Sequence, residues 1–113
     1  MKRGILVLTP FPYTDLSGQK TRPALVVSRS DRPGSDVVLA FITSNSSGTP
    51  LLTDLLIETS DANFLQTGLK RSSIVKLDKL VTVETSIILG ELGELSAALL
   101  QIVDEKLRCA LEL

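Results

Sequence analysis

The sequence predicts a mainly β fold with one C-terminal helix, and three observations carry that expectation. Runs of Val, Ile and Leu are punctuated by clusters of Gly, Pro, Ser and Asp along most of the chain. Two of those runs, residues 24–27 and 37–42, are apolar at successive positions, as in strands of a small closed barrel covered on both faces. The last stretch instead repeats its apolar residues at helical spacing. At 113 residues, 43% hydrophobic and 22% charged, the chain is expected to form one globular domain over residues 1–113.

In chain order, strands are predicted near 4–9, 22–29, 37–43, 54–58, 73–77, 79–83 and 87–93. The first ends at a rigid Pro10-Phe11-Pro12 bracket, followed by the polar loop Thr14 to Thr21. Residues 29–36 are turn chemistry and residues 43–50 a second polar loop. The helix starts from Ser96 as N-cap, with Leu95 and Leu100 spaced as a hydrophobic staple. Leu99, Ile102, Val103, Leu107, Ala110 and Leu111 are predicted to form its apolar face, with Asp104 and Arg108 paired on the wet side.

Composition removes whole classes of chemistry. The chain has no histidine, so Ser–His triads and histidine metal sites are excluded. Its single cysteine, Cys109, allows no internal disulfide and no thiolate metal site, and is expected as a plain buried thiol. The apolar run Ile5 to Leu8 is too short for a secretory signal, and no stretch approaches the ~20 residues of a membrane span. A cytoplasmic location without membrane contact is therefore expected.

The net charge of −1 conceals an uneven distribution. Residues 1–36 carry six basic against three acidic side chains, and residues 70–82 four against one. Residues 83–113 carry two against six. If folding gathers Lys20, Arg22, Lys70, Arg71, Lys76 and Lys79, a nearly neutral chain acquires a basic groove; otherwise these are scattered solvated charges.

Four segments concentrate polar groups at the ends of apolar strands. The loop through Ser17, Gly18, Gln19 and Lys20 leads into Arg22, whose forked guanidinium suits a phosphate. The strand ending at Phe41 and Ile42 gives way to Thr43, Ser44 and Asn45. Lys70 and Arg71 stand in a basic turn, and alternation places Lys76 and Asp78 on one strand face ahead of Lys79. Taken singly, each also fits a plainer reading: an exposed arginine, a chain-turning threonine, a surface ion pair.

Together these segments resemble the MazF/PemK-type toxins of bacterial toxin–antitoxin systems. The likeness runs through GILVLTPFPYTDLSGQKTRPALVVS, DVVLAFITS, TGLKRSSIVKLDKLVTVE and LSAALLQIVDEKLRCAL, in order and across essentially the whole chain. It implies a small SH3-like β-barrel of the CcdB/Kid/MazF type and a homodimer. It also implies a metal-independent, cofactor-free endoribonuclease that cleaves single-stranded RNA and is restrained by a cognate antitoxin protein.

Carried over, the resemblance makes Arg22, Thr43, Lys76 and Asp78 the catalytic candidates. Ser17, Gly18, Gln19, Lys20, Ser44, Asn45, Lys70, Arg71 and Lys79 become RNA-binding candidates. Phe41 is expected in the core, leaving few aromatics for base stacking. One departure is Ile5, where many members carry aspartate after the glycine. Two other readings share the fold: a CcdB-like toxin that binds a topoisomerase, and a catalytically degenerate binding module.

Overall fold

The computed structural model describes residues 1–11, 20–44 and 48–113. Six strands form one antiparallel sheet: β1 (Ile5–Phe11), β2 (Lys20–Val26), β3 (Asp36–Thr43), β4 (Asp54–Ile57), β5 (Ser73–Glu84) and β6 (Gly90–Glu94). Their spatial order is β4-β5-β3-β2-β1-β6, and α1 (Ala97–Leu111) closes the chain. β1 runs on through Pro10, which pairs with Thr21, so the proline bracket does not end the strand.

The central strands are apolar at consecutive positions because both faces are covered. One face buries Leu6, Leu25, Ala40, Ile42, Leu55, Val75 and Leu77 against Leu95, Leu99 and Val103 around α1. The other buries Val7, Ala24, Val26, Val37 and Leu39 in a second, smaller cluster. Ile5 packs against that second cluster, so the residue departing from the family pattern serves apolar packing.

The stretches predicted as separate strands at 73–77 and 79–83 are one strand, β5, of 12 residues. The register against β3 jumps from Ala40↔Leu80 to Phe41↔Lys76, leaving Leu77 to Lys79 as a bulge on that side. The Leu77 amide instead donates to the Thr53 carbonyl at 3.2 Å. A bulge interrupts the apolar alternation as a turn does, which is why the sequence reads as two strands.

The α1 N-terminus matches expectation: the Ser96 side chain accepts from the Leu99 amide at 3.2 Å. Its buried stripe is narrower than predicted. Leu99 and Val103 are buried, while Ile102 and Leu111 stay exposed. Cys109 is also exposed, not buried as expected. It lies two residues past Leu107, about 200° around the helix from that core-facing position. Asp104 bonds to Arg3 rather than Arg108, and Arg3 Nε also donates to the Val27 carbonyl at 3.1 Å. Those two bonds tie the N-terminus to both β2's exit and the helix.

Candidate active site

Arg22 stands near the start of β2, with Thr9 of β1 opposite it. Pro23 holds it in extended backbone by excluding the α region for the preceding residue. Across the other edge of β2 the ladder begins at Ala24↔Phe41, and Arg22 and Thr43 each stand two residues past that pair, on the same faces as Ala24 and Phe41. Residues directly opposite in a ladder share a face of the sheet. Arg22 and Thr43 accordingly line one cavity of about 230 Å³ with Phe41, Ile42, Lys76 and Lys79.

A second cavity of about 300 Å³ adjoins the first through Arg22 and Ile42. Leu8, Pro23, Leu69 and Leu92 make its apolar wall, and Thr21, Ser44, Lys70 and Arg71 add its polar groups. Five of the six cations singled out in the sequence thus line two cavities that share Arg22 and Ile42. Among the described residues, neither lining contains an acidic one. Lys20 is exposed at the head of β2 and outside both linings. Ser17, Gly18, Gln19 and Asn45 lie outside the described residues.

The β5 bulge decides which charges meet. In a regular strand Lys76 and Lys79, three apart, would face opposite sides. With three residues bulged out, both reach the same cavity, while Asp78 is exposed and absent from either lining. The structure therefore groups Lys76 with Lys79 where alternation grouped it with Asp78.

Lys70 and Arg71 are placed by the short 3-10 turn Leu65–Thr67. Thr67 is fully buried; its hydroxyl donates to the Phe64 carbonyl at 2.6 Å and accepts from the Leu69 amide at 3.1 Å. Gly68 ends the turn at φ 74°, and a Cβ there would meet the Leu92 carbonyl oxygen at 2.1 Å. Phe64 is buried in the core, whereas Phe41, expected there, is half-buried against the first cavity.

Sequence reasoning missed Asp54. It opens β4 directly opposite Lys76. The Lys76 ammonium lies 2.9 Å from its Oδ1 and 3.0 Å from its Oδ2. The Leu51 amide donates to Oδ2 at 2.9 Å. Burial alone pushes the Asp54 carboxyl up. The hydrogen bonds from Lys76 and Leu51, with the charges of Lys76 and Lys106, outweigh that and hold it below its ordinary value. The only sequence signal was an aspartate at the start of an apolar run, which marks many turns.

The arrangement is a cationic cleft with one guanidinium at its centre, a hydroxyl in the same cavity, and ammonium groups on both flanks. It suits a polyanion, and Arg22 and Thr43 together suit a single phosphate. Among the described residues, no three His, Cys, Asp or Glu side chains cluster as a metal site. Among the described residues, no helix is long and apolar enough to cross a membrane.

A sequence profile of PemK-like, MazF-like toxins of type II toxin–antitoxin systems matches residues 2–111. Among curated proteins the chain finds no match. Among solved structures it resembles MazF in a MazE–MazF complex from Deinococcus radiodurans, with TM-score 0.72 and 26% identity over 100% of this chain and 97% of that one. An endoribonuclease bound to its cognate antitoxin, from a mycobacterial species, superposes with TM-score 0.75 at 24% identity, covering 100% and 96% of the two chains. The Mycobacterium tuberculosis toxin MazF-mt6 gives TM-score 0.74 at 22% identity, with 98% of each chain covered.

Proposed function

Because this chain belongs to the PemK-like, MazF-like toxins of type II toxin–antitoxin systems, we propose that it is an endoribonuclease cutting single-stranded RNA at the Arg22–Thr43 cleft. The observation that carries the reading is the position of Arg22, shared by both cavities and lining one of them with Thr43. The chain works as a homodimer in the cytoplasm and is silenced by a cognate antitoxin; similar structures solved with an antitoxin support the last of these.

RNA brings its own nucleophile, the 2′-hydroxyl. The protein must help remove that proton, stabilise a crowded dianionic phosphorane and assist departure of the 5′-oxygen. Arg22 stabilises the phosphorane through its forked donors, and Thr43 offers one hydrogen bond to a nonbridging oxygen. Lys76 contacts the phosphate or protonates the leaving oxygen. Asp78 serves as base or orienting group only if bound RNA reaches the bulge outside the cavity. The products are a 2′,3′-cyclic phosphate and a 5′-hydroxyl, and DNA is inert.

Lys70, Arg71 and Lys79, with Lys20, Ser44, Ser17, Gly18, Gln19 and Asn45, hold the flanking nucleotides. Phe41, which lines one cavity with Arg22, offers a surface for base stacking.

Incubation of the purified chain with a long single-stranded RNA in excess EDTA, followed by end mapping, tests the reading. Discrete cuts with 5′-hydroxyl ends, lost in Arg22→Ala, are expected. RNA left intact by the wild-type chain rejects it; intact RNA that is still bound indicates a binding module, and inhibited supercoiling a topoisomerase poison.

A further inference from the structure

The Lys76 ammonium reaches the cleft with a buried carboxylate at its back. Lys76 is 22 residues from Asp54 in sequence, and strand register alone brings them together. The Asp54 side chain is 3% exposed and that of Lys76 20%. No hydrogen bond reaches Asp54 Oδ1 among the described residues, so the ammonium charge at 2.9 Å is what compensates that buried oxygen. The turn carrying Asp54 is itself tied to α1, because Lys106 Nζ donates to the Leu52 carbonyl at 2.8 Å.

An ammonium has three N–H donors. Asp54 Oδ2 takes one of them and Oδ1 lies beside the same ammonium, while the Lys76 side chain lines the cavity that holds Arg22 and Thr43. We propose that Asp54 is a positioning residue for the reaction: it fixes Lys76 so that a donor not spent on the carboxylate meets the scissile phosphate beside Arg22. The proposal rests on the ribonuclease reading.

Its physical content lies in what a paired lysine does and does not supply. Lys76 and Asp54 together are neutral, so they add little to the general attraction of RNA. They present a donor already in place, whose interaction strengthens as charge builds on the phosphorane. A lysine without its partner does the reverse: it attracts any nearby phosphate and loses its fixed direction.

The test compares Asp54→Asn, Asp54→Glu, Lys76→Met and the Asp54→Asn/Lys76→Met double variant, each confirmed folded by circular dichroism. Cleavage is followed in EDTA for kcat and KM. Binding is measured separately on uncleavable 2′-O-methyl RNA of mixed sequence. Asp54→Asn is expected to lower kcat about tenfold. It should also lower KM, and Kd for the uncleavable RNA, by about threefold. Its salt slope should steepen by about 0.7 as one cation is freed.

Asp54→Glu, which keeps the charge, should retain the wild-type slope. The double variant should match Lys76→Met in kcat, because Asp54 acts only through Lys76. A packing defect alone raises KM and leaves the salt slope unchanged. An unchanged kcat in Asp54→Asn, a rise in KM, or a further kcat loss in the double variant overturns the proposal.

If the wild-type chain cuts no RNA, the ribonuclease reading fails and the binding measurements decide. Tighter binding in Asp54→Asn that vanishes in the Lys76→Met background keeps the pair at an RNA-facing site. Equal Kd values overturn that too.

Discussion

Arg22 and Thr43 line one cavity, each two residues past the Ala24–Phe41 pair that ends the β2–β3 ladder. They are 21 positions apart in the chain. Antiparallel register puts both on one face, and the cavity of about 230 Å³ contains both. The first two predictions concern this pair.

Arg22 is exposed, so removing it leaves no buried group without a partner. Arg22→Ala should reduce RNA cleavage by at least about 10³-fold with stability changed by under about 0.5 kcal/mol. Arg22→Lys should recover little of the rate, since an ammonium lacks the planar fork. Single-turnover cleavage and urea midpoints check both halves. Residual activity within tenfold of wild type counts against Arg22 as the phosphate clamp.

Thr43→Val keeps the side chain's shape and removes its donor. The expected loss is about 10²-fold in kcat with KM nearly unchanged, because the hydrogen bond strengthens only as the oxyanion forms. Thr43→Ser should keep most activity. Equal rates for the Val and Ser variants remove the hydroxyl from the mechanism.

Asp54 gives the chain an acid-sensitive stability. Its folded carboxyl is held below the ordinary value, which lies near about 3.9 in an unfolded chain. The stabilisation is therefore complete above the unfolded value and is lost as pH falls through the folded one, below about pH 4. Asp54→Asn should flatten that part of the acid limb. Urea midpoints between about pH 2.5 and 6 measure it, and parallel curves for both proteins contradict it.

Gly68→Ala should destabilise the fold by about 2–4 kcal/mol, through the positive φ and the collision with the Leu92 carbonyl. The loss of order should extend to Lys70 and Arg71, which this turn places. Urea denaturation, with amide exchange at Leu69, reads both. Wild-type stability would mean the backbone yields more easily than the geometry allows.

Leu77 is completely buried, although its strand is bulged there. Leu77→Ala should cost about 2–5 kcal/mol. Cys109→Ser, at an exposed helix position, should stay within about 0.5 kcal/mol. Equilibrium denaturation of the two variants separates core from surface directly, and a large cost for Cys109→Ser would put that thiol back in the core.

Much of the fold was legible because its signals are local. Consecutive apolar residues at 24–27 and 37–42 marked strands covered on both faces, and Ser96 marked the helix start. Arg22 before Pro23, and Thr43 at the end of an apolar run, were visible as polar groups at strand ends. Each depends on neighbours a few positions away.

Tertiary structure decided the partners. Alternation grouped Lys76 with Asp78, but the bulge against β3 put Lys79 in the cavity instead. Helical spacing paired Asp104 with Arg108, yet Arg3 comes from the far end of the chain to take it. Asp54 became the counterion of Lys76 only when β4 docked along β5 in one register. Local spacing fixes a side chain's direction relative to its own backbone. Which group it meets depends on strand register and packing across the chain, so the cations near Arg22 were legible while the carboxylate behind Lys76 was not.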